Sequence, residues 1–335
     1  MPFDAIPSAP TVGVLLINLG TPDAAEPKAV RRYLAEFLSD PQVIEIPSLV
    51  WKPILHGMIL RTRPAKTAHA YAQIWTDDGS PLAANTRAQA EKLAQALGGS
   101  VVVDYAMRYG QPVIGDRLAE LKARGCEKIL LAPLYPQYSA ATTATAVDKA
   151  FDALKAMRAE PALRTLPPYY DDPAYIEALR SSVAAAIADD EPDAIVASYH
   201  GMPERTEALG DPYRVQCLET SRQLSEALGR QVLTAFQSQF GAAKWFGPAT
   251  DALLAELPGL GARRVAVLTP GFSVDCVETL EEINIRGRES FMAAGGEQFA
   301  YIPCLNATPV GMEMLETLVR RELAGWLPET TETVR

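Results

Sequence analysis

A single histidine in the second half of the chain stands at a position where enzymes often place a catalytic group. His200 follows the short apolar run 195–199 and precedes Gly-Met-Pro, which cannot continue a strand. An imidazole can accept a proton near neutral pH or bind a metal ion. A lone histidine is also typical of a hydrogen-bonded structural residue, so the rest of the sequence must assign its role.

Three carboxylates form a second feature, in the stretch DCVETLEE at 275–282. If this stretch opens a helix, Asp275, Glu278 and Glu282 lie at i, i+3 and i+7 and share one face. Like charges on one face repel each other, so the face is either solvated or used to pass a cation or protons. Asp275 can alternatively cap the N-terminus of this helix, which is compatible with both interpretations.

Together these groups have the chemistry of a transient metal site. Imidazole and carboxylate bind borderline divalent ions such as iron or zinc, and both accept protons. One histidine with one or two carboxylates is a weak ligand set. It favours transient handling of a metal over a permanent structural site.

Parallel α/β units are predicted to position these groups, because short β-rich runs alternate with segments of helical period. Ligands of such sheets bind beyond the carboxyl ends of the strands, and the loops there are rich in aromatic, Gln and Pro residues. Such loops suit a large flat ligand, and no G-x-G-x-x-G or G-x-x-x-x-G-K-[ST] motif indicates a nucleotide. The predicted strands are 12–18, 101–105, 128–132, 194–199, 232–236, 264–268 and 298–302; the predicted helices are 86–97, 147–158, 175–188, 220–228, 250–257 and 311–326.

The composition is that of a globular protein with about two domains, at 335 residues and 48% apolar content. A net charge of −10 argues against a nucleic-acid partner. No apolar stretch is long enough to span a membrane, and the N-terminus lacks the basic region of a signal peptide. The four cysteines form no C-x-x-C pair, which fits a reducing, cytoplasmic setting and indicates no zinc or redox motif.

Long motifs in the strand-end loops resemble those of the ferrochelatases, in order and from about residue 11 to 325. They are NLGTP, RTRPAKTAHAYAQIW, GSPL, LYPQYSAATT, SYHGMPERTEALGDPY, FQSQFGAAKWFGP and PGFSVDCVETLEEINI. The resemblance implies an α/β fold of two Rossmann-like domains, each with a mainly parallel sheet flanked by helices, and an active-site cleft between them. It also implies a lyase that inserts ferrous iron into protoporphyrin IX to form protohaem, the terminal step of haem biosynthesis.

The same resemblance implies domain limits. The first domain is expected at 11–165, with a porphyrin-lip segment at 47–66. The second is expected at 166–306 and carries His200 and Glu278. A final helix at 307–330 is expected to pack on the first domain.

Site roles also follow from the resemblance. His200 matches a histidine assigned either to pyrrole-proton abstraction or to metal binding, and Glu278 matches the glutamate opposite it; both are expected to contact iron. Asp275 and Glu282 match a carboxylate row thought to conduct metal or protons. Leu19 stands where certain relatives have a tyrosine near the metal, which favours protoporphyrin over coproporphyrin. The other matched porphyrin-binding positions are Arg108, Tyr109, Trp245 and Phe272 along the macrocycle, and Arg63, Lys66, Tyr71 and Ser80 near the propionates.

Two departures from the family pattern bear on cofactors. Some members hold a [2Fe–2S] cluster with cysteines of a C-terminal extension, but this chain has none after Cys304. No cluster and no other permanently bound cofactor are therefore expected, and Fe²⁺ is a substrate. Cys276 stands where some members have a histidine, and a thiol there is interpreted as a packed residue.

Other functions remain open on sequence grounds. A coproporphyrin ferrochelatase or a sirohydrochlorin cobalt or nickel chelatase uses similar chemistry, although the latter typically relies on more histidines. A non-catalytic porphyrin or haem carrier needs the pocket but not the carboxylate row.

The segment 47–66 is unusually apolar and ends in a basic cluster. It is either a helix buried on the sheet or a lip at the pocket mouth. Pro53 and the broad apolar face favour the lip, and Trp51 beside basic residues suits a lipid headgroup interface. A weak, salt-sensitive, peripheral membrane contact is therefore predicted for this segment of a cytoplasmic protein.

Overall fold

The computed structural model describes residues 11–239 and 243–327. All seven predicted strands are present, and an additional short edge strand, β4, was missed. The strands are β1 (Thr11–Gly20), β2 (Val101–Tyr109), β3 (Cys126–Pro133), β4 (Ala162–Thr165), β5 (Ala194–His200), β6 (Val232–Gln237), β7 (Arg264–Leu268) and β8 (Gln298–Ile302).

Helices cover both sheets. The α-helices are α1 (Pro27–Phe37), α2 (Ser48–Ile54), α3 (Leu60–Ile74), α4 (Pro81–Leu97), α5 (Ile114–Ala123), α6 (Thr145–Lys155), α7 (Pro173–Ala186), α8 (Glu204–Ala208), α9 (Tyr213–Leu228), α10 (Thr250–Glu256), α11 (Val277–Thr279), α12 (Arg288–Ala293) and α13 (Pro309–Glu322). Three π-helical segments, Leu55–Ile59, Ala140–Ala144 and Leu280–Gly287, and one 3₁₀ segment, Leu257–Leu260, adjoin them. No helix among the described residues is both long and apolar enough to cross a bilayer.

The two sheets have the same topology. The first has the order β2-β1-β3-β4 and the second the order β6-β5-β7-β8, and every pair of neighbouring strands is parallel. This arrangement confirms the predicted α/β class with two parallel sheets.

Burial on both faces explains the apolar strand sequences. In β1, Leu15 and Ile17 belong to a core on the side of α5 and α6, whereas Val14 and Leu16 belong to the largest core. Parallel strands covered on both faces are continuously apolar for this reason. The largest core also contains Tyr199 of β5, so it joins the two halves of the chain.

The last helix, α13, contacts both halves of the chain. α13 contacts α4 of the first half and also α7 of the second. It therefore packs between the halves and not on the first domain alone.

Candidate active site

His200 is the last residue of β5 and lies in register with Gln237, the last residue of β6. The Gly201 amide donates to the Gln237 carbonyl at 2.7 Å, which joins the two strand ends beyond the ladder. His200 Nδ1 lies 2.7 Å from the Gly201 carbonyl oxygen. Because a carbonyl only accepts, Nδ1 of the neutral ring carries the proton, and Nε2 keeps the lone pair that a base or ligand needs.

The side chain of Gln237 connects this strand end to α11. Its Oε1 accepts from Ser198 Oγ at 2.8 Å, so its Nε2 is the donor that reaches the Glu278 carbonyl at 2.7 Å. Gln237 therefore contacts both sides of the site. Its backbone pairs with the strand end at His200, and its side chain binds the backbone of Glu278. The motif FQSQFG contains this glutamine, but the sequence reasoning assigned it no role.

The three carboxylates do not share one helical face, so that expectation is wrong. Only 277–279 are α-helical, and the chain then continues as a π-helix through Gly287, where α-helical spacing does not apply. Asp275 precedes the helix, whose N-cap is Cys276, and the expected capping role of Asp275 is therefore also wrong. No group of three or more His, Cys, Asp or Glu residues within the described ranges is arranged to hold a metal.

Each of the outer carboxylates has protein partners. Asp275 is 7% exposed and accepts from the Asn306 amide at 2.6 Å and from the Tyr301 hydroxyl. Glu282 accepts from the amide and the hydroxyl of Ser238, at 2.7 and 2.6 Å. Glu278 is half-buried and has a different environment.

Glu278 faces tyrosines from the first half of the chain. The neighbouring Val277 and Leu280 pack against the cluster formed by α1 and α3. Burial, and then the charge of Glu278, raise the pKa of Tyr71 well above its usual value. The pKa of Tyr33 is also raised well above its usual value, by burial first and then by the nearby Tyr71 and Glu278. Glu278 therefore lies between the two halves, near phenols that stay protonated at neutral pH.

Cys276 remains a thiol beside this site. Burial, together with the charge of Glu278, raises its pKa well above the usual value. Its side chain is 4% exposed and packs with Met107 and Val274, as expected for the packed residue predicted from the sequence.

The structure places Arg108 and Tyr109 in an internal cluster around Asp40. Arg108 forms an ion pair with Asp40 and donates from Nε to Thr145 Oγ1 at 2.7 Å. Tyr109 is fully buried and donates to Asp40 at 2.8 Å. Burial alone would raise the pKa of Asp40, but the hydrogen bonds from Thr145, Gln42 and Tyr109 and the charge of Arg108 lower it. Sequence reasoning missed Asp40, which binds both predicted pocket residues.

The residues predicted near the propionates fall into two groups. Arg63 and Lys66 are exposed on α3. Tyr71, on the same helix, is buried with its ring edge-on to Trp75. Ser80 is buried and its hydroxyl accepts from Thr21 at 2.9 Å. Only the two basic residues are therefore open to solvent.

The apolar residues predicted along the macrocycle are half-buried. Phe272 packs on the cluster that contains Met107 and Cys276, and Leu19 lies between two cores of the first half. Trp245 forms an isolated antiparallel bridge with Pro203, which brings it beside the segment that follows His200. The loop from 237 to 248 also includes 240–242, which lie outside the described residues.

The segment 47–66 is not a buried helix. Leu49 is 90% exposed and Val50 and Met58 are more than half exposed, while Leu55 and Leu60 are buried. Trp51 is half-buried and donates from its indole nitrogen to the Leu38 carbonyl at 2.6 Å. An apolar surface therefore faces outward, as expected for a lip.

Comparisons with known proteins identify the family of this sequence. A sequence model of the family described as Ferrochelatase matches residues 11–323. The ferrochelatase of Mesorhizobium japonicum is 53% identical over 325 residues, covering 94% of this chain and 92% of that protein. The ferrochelatase of Rhizobium meliloti is 54% identical, covering 94% and 96%.

Solved structures with a similar fold are more distant in sequence. SirB from Bacillus subtilis with Fe³⁺ superposes with a TM-score of 0.58 at 12% identity, covering 94% of this chain and 96% of that one. The sirohydrochlorin chelatase SirB from the subspecies spizizenii, in complex with cobalt, gives 0.55 at 11% identity, covering 94% and 97%. Such identities show the fold alone. With a family match across nearly the whole chain and relatives more than half identical to it, the chain belongs to the ferrochelatase family.

Proposed function

We propose that this enzyme inserts Fe²⁺ into protoporphyrin IX to form protohaem, the terminal step of haem biosynthesis. One observation carries the proposal. Gln237 lies in register with His200, and its side chain donates to the Glu278 backbone carbonyl, so the residues that carry the imidazole and the carboxylate are brought to the same end of the second sheet.

The reaction needs both groups. A free porphyrin carries two N–H protons, and the incoming Fe²⁺ replaces them without any change of oxidation state. His200 Nε2 accepts one pyrrole proton, and the second goes to Glu278 or, where Glu278 contacts the metal, to solvent. A neutral imidazole and a carboxylate are competent bases at pH 7.

Aromatic side chains supply the other part of catalysis. A flat porphyrin shields its nitrogens, so a site that prefers a bent ring favours the transition state. Trp245 and Phe272 pack against the ring faces, and Leu19 contacts the ring near the metal. Arg63 and Lys66, which are exposed, pair with the propionates. Tyr71 and Ser80 act from buried positions, by shaping the helices that border the propionates.

Arg108 and Tyr109 contribute indirectly. Arg108 pairs with Asp40 and Tyr109 donates its hydroxyl to the same carboxylate, so both residues support the wall of the pocket. This assignment changes the role expected of them from sequence.

No permanent cofactor is proposed. Cys126, Cys217, Cys276 and Cys304 are buried free cysteines, and no group of three or more His, Cys, Asp or Glu residues in the described part of the chain could hold a metal, which supports this proposal. Aerobically purified protein is expected to show no iron–sulfur absorbance and no acid-labile sulfide. Finding both would contradict the proposal.

Metal insertion by the purified protein tests the function. Wild-type enzyme should insert Fe²⁺ or Zn²⁺ into protoporphyrin and less efficiently into coproporphyrin, while sirohydrochlorin should be a poor substrate. His200→Ala should lose about 10²–10⁴-fold of kcat or more while protoporphyrin still binds, because a general base contributes that much. His69→Ala, an exposed position on α3, is the matched control. Porphyrin binding without insertion by the wild type would indicate a carrier, and retained insertion by His200→Ala would refute the site.

The protein is proposed to be cytoplasmic and to contact membranes reversibly through the lip at 47–66. The exposed Leu49 and Val50 support this proposal, because apolar side chains beside basic residues partition into the headgroup region.

A further inference from the structure

Asp275 is the centre of a hydrogen-bond network that reaches from α11 to the other half of the chain. Its Oδ1 accepts from the Tyr301 hydroxyl, from Thr279 Oγ1 at 3.1 Å and from the Cys304 amide at 3.2 Å. Its Oδ2 accepts from Asn306 Nδ2 at 2.6 Å. The carboxylate is thus surrounded by neutral donors and is 7% exposed. A metal ion on its way to the site could bind Asp275 only by displacing these donors.

Asn306 pairs with Asp275 in both directions. Its Nδ2 donates to the Asp275 carboxylate, and its Oδ1 accepts from the Asp275 backbone amide at 2.8 Å. The backbone amide of Asn306 donates to the backbone carbonyl of Ser273 at 3.0 Å. Asn306 adopts a φ of 49°, a left-handed conformation that asparagine tolerates better than most residues. Few residue types can keep this backbone conformation and also make the reciprocal pair.

The pair is anchored to the first half of the chain. Gln89 and Lys92, both on α4, donate to the carbonyls of Asn306 and Ala307, at 2.9 and 2.5 Å. These bonds fix the segment after β8 to the first half of the chain. The side chain of Asn306, which lies in that segment, holds Asp275 in the segment after β7.

The network ends at the turn that carries Glu278. Thr279 is fully buried, donates to Asp275 and accepts from the Cys276 amide at 3.0 Å. Asp275 therefore fixes Thr279, the last residue of the short helical turn on which Glu278 lies, and through Thr279 it also fixes the Cys276 amide at the start of that turn. A turn of three helical residues has little stability of its own, so its position depends on such contacts.

We infer that Asp275 is a positioning residue. Paired with Asn306, it holds Glu278 in place, and it does not itself conduct metal or protons. This inference rests on the proposed function, and it separates Asp275 from the carboxylate row in which the family resemblance placed it.

Exchanging the two side chains tests the inference. In D275N/N306D, the new amide at 275 donates to the new carboxylate at 306, and that carboxylate accepts from the amide of residue 275. The three donors around Oδ1 keep an acceptor, the carbonyl oxygen of the new amide. The double variant thus retains every hydrogen bond of the pair but moves the negative charge away from position 275.

The measurement is kcat for Zn²⁺ insertion, with protoporphyrin affinity measured by fluorescence. D275N alone places amide against amide and should lower kcat by about 10²-fold, the loss typical of a reacting group displaced by 1 Å. D275N/N306D should regain at least about tenfold, because contacting residues are energetically coupled. Porphyrin affinity should stay unchanged in both variants. D275N/N85D is the matched control, since it has the same net charge but leaves position 275 without its partner.

The alternative outcomes are distinct. If the exchanged pair stays as inactive as D275N, or if D275N keeps wild-type kcat, the inference is overturned. Should the exchanged protein not fold, Asn306→Gly replaces it, because glycine accepts the φ of 49° and leaves the Asp275 charge intact. Positioning then predicts a loss of kcat like that of D275N, and wild-type kcat refutes it. Failure of the wild type to insert metal would instead refute the proposed function.

Discussion

Gly201 is the residue where the smallest change should have the largest effect on the site. A Cβ added there would lie 2.5 Å from the Gln237 carbonyl oxygen and 3.4 Å from the Trp245 ring. Reaching the 3.4 Å of ordinary contact requires the strand ends to separate by about 0.9 Å. The close atom is backbone, so no side-chain rotation can relieve the overlap.

The displacement should reduce catalysis more than stability. Gly201 follows His200 directly and accepts its ring hydrogen bond, so moving it moves the imidazole. A 1 Å misplacement costs about 10²-fold in rate, so Gly201→Ala should lower kcat for metal insertion by about that factor. Overpacking should lower the free energy of unfolding by about 1–3 kcal/mol. Both are measurable, by Zn²⁺ insertion at saturating porphyrin and by urea unfolding.

Gly259→Ala is the matched control, because a Cβ there has no neighbour within 4 Å. It should leave kcat unchanged and the free energy of unfolding within about 0.5 kcal/mol of wild type. A folded Gly201→Ala variant with wild-type kcat would refute the argument that the joined strand ends fix His200.

Three further predictions concern other contacts. Glu278→Gln should lower kcat by about 10²-fold or more, whereas Glu282→Gln should be milder because its carboxylate binds protein donors; negligible effects from both would refute a role of either carboxylate in metal insertion. Asp40→Asn should lower the free energy of unfolding at pH 7 by about 3 kcal/mol, the cost of breaking a buried ion pair. Because folding lowers the pKa of Asp40, its stabilisation is present above the unfolded pKa and is lost as pH falls through the folded one, so the variant's free energy of unfolding should approach that of wild type as the pH falls below the ordinary range of an aspartate, and a constant difference would contradict this. Co-sedimentation with anionic liposomes at low salt should be weakened by Leu49→Ser/Val50→Ser and abolished by salt, which screens the attraction between anionic lipid and the basic cluster Arg61, Arg63 and Lys66; a wild type that stays in the supernatant would refute the membrane contact.

Much of the fold could be predicted because its signals are local. The continuous apolar run of β1 indicates a strand buried on both faces, and the Gly-Met-Pro after His200 marks a strand end. β4 was missed because it is a four-residue edge strand with no fully buried position. The start of α9 at Tyr213 was also missed, since Asp-Pro just before it resembles a turn.

The candidate site, like the fold, could be predicted only where its signals are local. The sequence by itself determined which residue types stand at the strand ends, because strand and turn propensities depend on neighbours along the chain. It could not decide the π-helical turn after Thr279, since the spacing of the glutamates equally fits an α-helix. Nor could it pair Asp275 with Asn306, 31 positions away, or Gln89 with Asn306, 217 positions away. A buried carboxylate must find hydrogen-bond donors, but only the packing of the two sheets decides which donors reach it.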